Sequence, residues 1–388
     1  MIAEGVKKDF RERDNISINS RAWAEVNLKN LHHNVVELQR ILPRTCEIMA
    51  VVKADAYGHG SVQVSRYLNQ VGVLNFAVAT LEEGIELRER GIKGNILILG
   101  YTNPKDIQWV IRYQLIQTVL DYEYAKKLNQ YNKKVKVHVK LDTGMGRLGE
   151  EIKNIENIIN IYRCRYLDVC GTFTHLSVSD SLEPSDIAYT DQQINSFYKV
   201  IGTLKLKKIS PGKIHIQSSY GVLNRPELNC DYARIGIALY GALDYENIKV
   251  KVNLCPVLSL KSRVVAIKNI KRGQEIGYGR NYIAKRDGKI GIISIGYADG
   301  IPRTVARQGI YCLINGSRAP IIGNVCMDQL IVDITKIGNV KPDDIAIFIG
   351  ESENERITVA QVAQRYDTIS NEILSRIGHR IKTAHLLM

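Results

Sequence analysis

The sequence predicts a (β/α)8 TIM barrel followed by a mainly β C-terminal domain. Three observations predict it. Short apolar runs alternate with longer amphipathic stretches eight times between Glu47 and Ala238. After about Asn253 strand-like runs follow one another directly, with turn signals between them. A length of 388 residues suits two such units.

Residues 1–20 are polar and mixed in charge, and read as a leader or linker. The barrel is assigned to 21–253 and the β domain to 254–388, with a first strand over 22–28 that either opens the barrel unit or joins the β domain. A helix-spaced run covers Leu31–Leu42. The barrel strands are expected at Glu47–Val52, Asn75–Ala79, Asn95–Leu99, Ile116–Leu120, Val135–Leu141, Leu167–Thr174, Lys213–Gln217 and Ala233–Ala238. Amphipathic stretches such as Glu82–Arg90, Tyr122–Asn132, Glu151–Tyr162 and Ile187–Leu204 separate them; the last crossover, Tyr220–Asn229, is short. An open doubly wound sheet is the structural alternative. No G-x-G-x-x-G opens a helix after the first strand, which disfavours a dinucleotide fold.

Beyond Asn253, strands are expected at Ser262–Ile267, Ile290–Ile295, Tyr311–Ile314 and Ile345–Ile349. Asp287-Gly288 and Asn315-Gly316 read as hairpin dipeptides, and Ile357–Arg365 and Glu372–Ile381 as helices.

Hydrophobic residues make up 45% of the chain, and no apolar window is long enough for a membrane span. The N-terminus has no apolar h-region. Seven cysteines without a C-x-x-C pair read as reduced thiols, so a cytoplasmic setting is expected and no metal site. The net charge of +13 is scattered, and neither a nucleic-acid motif nor a basic helix accompanies it.

Barrel chemistry sits at the C-terminal strand ends. The first strand closes on Lys53, followed by Ala54-Asp55-Ala56-Tyr57-Gly58-His59-Gly60. A lysine closing an apolar run is desolvated, which lowers its pKa and makes it a Schiff-base nucleophile; alternatively it snorkels to the surface. The fifth strand brings Lys140 and Asp142 to one face by alternation, with Arg147 after a double-glycine turn. The sixth ends in Thr174-His175, and the seventh in Gln217-Ser218-Ser219. On the eighth, Arg234 is a charge inside an apolar run that needs an acceptor, and Gly236 permits close backbone approach. Ser219, Gly236 and Ile237 are read as lying on the seventh and eighth strands, where barrels bind phosphate. A lysine, two arginines, a histidine and phosphate donors at one mouth suit a phosphorylated aldehyde cofactor.

These segments resemble the alanine racemase family, fold-type III enzymes of pyridoxal 5'-phosphate. The resemblance runs from about Arg21 to the C-terminus. It rests on Lys53 to Gly60, Asp142-Thr143-Gly144-Met145-Gly146-Arg147, Thr174-His175, Arg234-Ile235-Gly236, Gly277-Tyr278-Gly279, Gly296-Tyr297-Ala298-Asp299-Gly300 and Cys326-Met327-Asp328, in that order. It implies that Lys53 binds the cofactor and acts as one base, and that Tyr278, from a partner subunit of a homodimer, acts on the opposite face. Tyr57, Ser219, Gly236 and Ile237 would hold the phosphate. Arg234 would bond the pyridine nitrogen, and His175 would link Arg234 to Tyr278. Arg147 would meet the cofactor's phenolic oxygen and the substrate carboxylate. Tyr297, Met327 and Asp328 would line the substrate entrance. Lys140 matches a lysine often carbamylated in the family. The product would be D-alanine or D-serine for peptidoglycan.

One position departs. The family usually carries Ile-Ser-Tyr-Arg near the C-terminus, where this chain has Ile369-Ser370-Asn371-Glu372. The family's tyrosine contacts phosphate and narrows the substrate pocket. Asn371 is shorter and both donates and accepts. The change resembles the serine racemases of vancomycin-resistance systems, whose racemase domain follows a membrane-embedded one. The serine reading is therefore expected, with a housekeeping alanine racemase as the alternative; a membrane link would come only through a preceding domain. Rival classes are a barrel-type decarboxylase using the same cofactor, a non-catalytic protein that binds it, and a nucleic-acid-binding protein suggested by charge.

Overall fold

The structure is a computed structural model, and it describes residues 20–244, 248–304 and 308–387. Residues 1–19, nearly all of the expected leader, lie outside the described residues.

The chain opens with β1 (Ala22–Asn27) and α1 (Leu28–Ile41). Asn27 caps α1 by accepting from the Asn30 N–H at 3.1 Å. Leu28, Leu31, Val35 and Leu38 give α1 one buried face. Buried Asn34 on that face ties α1 to the chain leaving the barrel, donating to Leu239 O and Cys255 O and accepting from Cys255 N.

Eight parallel strands follow. They are β2 (Glu47–Val51), β3 (Asn75–Val78), β4 (Asn95–Ile98), β5 (Ile116–Val119), β6 (Val135–Asp142), β7 (Leu167–Phe173), β8 (Lys213–His215) and β9 (Tyr232–Ile235). Their order is β9-β2-β3-β4-β5-β6-β7-β8. Backbone bonds from Asp231 N to Ile214 O (2.8 Å) and from Arg234 N to Gln217 O (3.0 Å) close the ring between β8 and β9. The outer helices are α2 (Ser61–Gln70), α3 (Leu81–Glu89), α4 (Ile107–Arg112), α5 (Tyr122–Asn129), α6 (Ile155–Tyr162), α7 (Pro184–Leu206) and the one-turn α8 (Ser219–Asn224). Met49, Phe76, Ile96, Leu97 and Val139 on these strands are buried.

The second body is a nine-stranded sheet containing β10 (Leu258–Ile270), β11 (Gly288–Ile293), β12 (Tyr311–Ile314), β13 (Ser317–Ile322), β14 (Leu330–Asp333), β15 (Ile345–Ser352), β16 (Glu355–Ile357) and the C-terminal β17 (Lys382–Leu386). Its order is β16-β15-β12-β13-β14-β11-β10-β1-β17, with β15 also pairing β10. The opening strand β1 thus lies in this sheet, antiparallel to β10 and parallel to β17. Two short helices, α9 (Val359–Arg365) and α10 (Ser370–Ser375), precede β17.

Three expectations need correction. The helix expected over Glu372–Ile381 is confined to Ser370–Ser375, after which the chain turns through Gly378 into β17. Asp287-Gly288 is not a two-residue hairpin. β11 returns to pair with β10 (Ile270 opposite Gly288), and Asp287 closes the 271–287 excursion by accepting from Lys271 Nζ and Arg272 N. Asn315-Gly316 does join β12 to β13, with φ of 46° and 67°. Ser219, Gly236 and Ile237 stand just beyond the ends of β8 and β9, because those strands stop at His215 and Ile235.

Candidate active site

A cavity of about 420 Å³ opens at the C-terminal ends of the barrel strands. Lys53, Tyr57, Lys140, Arg147, His175, Ser219, Arg234, Gly236, Ile237 and Asn371 all line it. Ten of the expected site residues therefore share one mouth. Tyr278, Tyr297, Met327 and Asp328 do not line it.

Lys53 follows β2. The four residues after it, Ala54 to Tyr57, have left-handed helical dihedrals, with φ between 52° and 54°. Such a turn costs L-residues about 1–2 kcal/mol each, so tertiary contacts must hold it. Glu83, in the capping box of α3, accepts from Ala54 N at 2.7 Å and from Ala79 N at 2.6 Å. Asp55 accepts from Ser61 N. The turn swings Tyr57 under β9, where a Cβ on Gly236 would fall 2.6 Å from the Tyr57 hydroxyl oxygen. Any larger residue there would have to push the Tyr57 ring aside.

The segments just beyond β8 and β9 build the same end of the cavity as Tyr57. The Ser219 hydroxyl oxygen accepts from Gly236 N and Ala238 N at 3.2 Å each. Asn371 arrives from α10, whose first residue Ser370 donates its N–H to Asp244 Oδ1 at 2.8 Å. The Asn371 side chain lies beside the Tyr57 hydroxyl, moderating the upward push of burial that takes this phenol to about 12.

Arg234 is buried without a carboxylate. Its guanidinium donates to the carbonyl oxygens of Thr174 (2.7 Å), His215 (2.9 Å) and Ile216 (3.0 Å), and to the Nδ1 atoms of His215 (3.0 Å) and His175 (3.3 Å). Its positive charge is thereby fixed in place, although burial lowers its pKa to about 10. The same charge, after burial itself, holds His175 neutral down to about 3. The expected onward link from His175 to Tyr278 is not made within one chain.

Burial lowers the Lys53 pKa, and Arg147 adds to this against a smaller opposing effect of Glu83. Lys140 falls to about 8, first through burial and then through Arg147 and Arg234. Its ammonium lies 5.7 Å from the Phe173 ring centre and has no ion-pair partner among the described residues. Asp142 instead accepts from Gly144 N and Gly146 N, shaping the loop that carries Arg147.

The remaining expected residues cluster on the β domain. Tyr297 N donates to Cys326 O and Ala298 N to Met327 O, which binds the two loops together. Asn324 donates to Tyr278 O at 3.0 Å. Arg380 bridges Asp328 (2.7 Å) and buried Asp299 (3.0 Å). Tyr278 is 65% exposed, Met327 51% and Tyr297 40%.

Sequence reasoning passed over Glu83, His138 and His215, and gave His59 no role beyond its place in the polar loop. His138 shares the alternation of Lys140 and Asp142 on β6, and His215 that of Gln217 beyond β8, so period-two polar residues inside apolar runs were the available signal.

A desolvated lysine, a fixed arginine and a hydroxyl-and-glycine cradle suit a phosphorylated pyridine aldehyde in charge, donor set and shape. With the antiparallel β domain they define the class of barrel-type pyridoxal 5'-phosphate enzymes. Family models agree: the alanine racemase N-terminal domain matches residues 26–244 and the alanine racemase C-terminal domain residues 257–385. The chain belongs to the alanine racemase family, whose enzymes depend on pyridoxal 5'-phosphate. It is 46% identical over 363 residues to an amino-acid racemase of Enterococcus faecalis, covering 93% of this chain and 51% of that protein. It is 39% identical over 375 residues to a serine/alanine racemase of Enterococcus gallinarum, covering 96% and 52%. The chain thus spans about half the length of these two relatives. An alanine racemase structure from Clostridium difficile 630 superposes with a TM-score of 0.88 at 34% identity, covering 95% of this chain and 96% of that one. No helix among the described residues is long and apolar enough to cross a membrane.

Proposed function

We propose that this chain racemises small amino acids by a two-base mechanism, with Lys53 on one face of the substrate and Tyr278 of the partner subunit on the other. The carrying observation is the single cavity that joins the desolvated Lys53 to Arg234 and to the cradle of Tyr57, Ser219 and Gly236. Bound pyridoxal 5'-phosphate supplies the electron withdrawal that acidifies the substrate Cα–H.

Lys53 would hold the cofactor, and its lowered pKa favours the neutral amine that accepts a proton. Tyr57, Ser219, Gly236 and Ile237 would hold the phosphate, with Asn371 beside them. Arg234 has protons to give and none to take, so it would keep the pyridine nitrogen an acceptor. Arg147 would bind the substrate carboxylate. Inversion requires a second proton donor on the opposite face, and one chain leaves Tyr278 exposed. A homodimer that inserts Tyr278, Tyr297, Met327 and Asp328 at its partner's cavity mouth would supply it.

Lys140 would be carbamylated. A buried amine with a pKa near 8 is partly neutral under ordinary conditions and adds carbon dioxide, releasing a proton and leaving an anion for Arg147. The polar Asn371 supports L-serine as a substrate beside L-alanine, in the role of D-serine supply for peptidoglycan in a vancomycin-resistance system.

Racemisation of L-alanine and L-serine, followed side by side by chiral chromatography, tests the activity. Borohydride reduction of the yellow holoenzyme followed by peptide mapping tests Lys53. Racemisation with the adduct on Lys53 is expected. No turnover of either substrate, or an adduct on another lysine, overturns the reading.

A further inference from the structure

The left-handed turn is gripped from the β domain. His59 closes it: the His59 Nδ1 lies 2.9 Å from Ala56 O and 2.8 Å from Tyr57 O. Carbonyl oxygens only accept, so the His59 proton sits on Nδ1. The His59 ring stacks on Tyr240 at 4.3 Å, and Tyr240 donates to Val51 O at the end of β2. The His59 carbonyl oxygen is then taken by His385 Nε2, at 2.7 Å, from the C-terminal strand β17. Both residues are buried. The approach is close: a Cβ on Gly60 would fall 2.8 Å from His385 Nε2, and one on Gly58 2.5 Å from Leu374 O in α10. One unbroken path therefore runs from β17 through His385 and His59 to the backbone carbonyls of Ala56 and Tyr57.

We propose that His385 is a positioning residue of the cofactor pocket: its bond to His59 O holds the left-handed turn in the shape that presents Lys53 and Tyr57. The proposal rests on the reading that these two residues bind pyridoxal 5'-phosphate. Four L-residues leave this conformation readily once its contacts loosen. A pocket correct only part of the time binds its ligand more weakly by that fraction. Losing the donor also strands a buried carbonyl, which further favours an opened turn. His385 does not itself line the cavity, so its effect falls on cofactor retention rather than turnover.

Three variants test this: His385→Ala, His385→Gln, which keeps an N–H donor at similar reach, and Ile381→Ala, which removes a buried side chain just ahead of the same strand. Amide exchange over residues 54–60 is read in cofactor-free protein, and the dissociation constant by spectroscopic titration with pyridoxal 5'-phosphate. For His385→Ala we expect faster exchange over the turn and binding weaker by about tenfold, the upper reach of one buried hydrogen bond. His385→Gln should recover much of both. Ile381→Ala should lower the melting temperature and leave both readouts near wild type. Wild-type exchange and affinity in His385→Ala would overturn the proposal, as would equal losses in Ile381→Ala. If the wild type bound no pyridoxal 5'-phosphate, the functional reading would fall, and exchange in the cofactor-free protein would still decide the clamp.

Discussion

His138 and His215 meet inside the barrel through a hydrogen bond of 2.8 Å between His138 Nδ1 and His215 Nε2. Arg234, which can only donate, occupies His215 Nδ1. The His215 proton therefore sits on Nε2 and is given to His138, which keeps its own proton on Nε2. Both rings are neutral and stand behind the guanidinium that faces the cavity. Burial, reinforced by Arg234, lowers His138 to about 3 and His215 well below its ordinary value. Burial lowers His59 to about 4.

Together with His175 these depressed values set an acid limit on the fold. The unfolded chain protonates each histidine near 6.5, whereas folded His59 resists to about 4 and His138 and His175 to about 3, and His215 is held well below its ordinary value. Between those values the unfolded state holds more protons, so stability is full above about pH 6.5 and declines as pH falls. At pH 5 unfolding should take up about four protons at these rings, a slope of about 5 kcal/mol per pH unit. Urea midpoints of the cofactor-free protein from pH 7 to 5 measure it. A flat midpoint would mean that these rings are already charged in the fold.

Lys140 carbamylation should rise with pH through about 8, because only the neutral amine adds carbon dioxide. Protein equilibrated with isotopically labelled bicarbonate should give a carbamate carbon resonance that disappears on acidification and is absent from Lys140→Gln. The same resonance in that variant would place the modification elsewhere.

Lys53 lines the cavity, whereas Tyr278 stands exposed on the β domain. Lys53→Ala and Tyr278→Phe should each lose nearly all activity. After subunit exchange, a mixture of the two should regain part of it, because in the proposed homodimer a mixed pair would hold one site with both native residues. An exchanged mixture with no recovery would argue that the two residues never share a site.

Asn371 lies beside Tyr57 in the cavity wall. Asn371→Tyr should lower the serine-to-alanine ratio of kcat/KM by up to about tenfold, the reach of one hydrogen bond worth about 0.5–1.5 kcal/mol. Alanine turnover should persist. An unchanged ratio would remove Asn371 as the source of serine acceptance and favour an alanine racemase.

Much of this molecule was legible in its residues. The eight barrel strands fall within a few residues of their apolar runs, because a buried parallel strand needs an apolar segment whatever surrounds it. Lys53 and Arg234 stood out because a charge closing or interrupting such a run must be used or compensated. Asn315-Gly316 declared its turn because that turn needs positive φ at both positions.

Other features depend on contacts between segments far apart in the chain. Lys53-Ala54-Asp55-Ala56-Tyr57 has no local preference for left-handed helix. Glu83, His59 and His385 impose it from 29, 3 and 326 residues away in their bonds to the turn and its closing residue. The pairing of β1 with both β10 and β17 likewise depends on which edges the finished sheet leaves open. Local pattern thus determined which residues form strands and which charges are conspicuous. Only tertiary structure decided the backbone shape that aims Lys53 and Tyr57, because four unfavourable conformations persist only where packing and distant hydrogen bonds outweigh them.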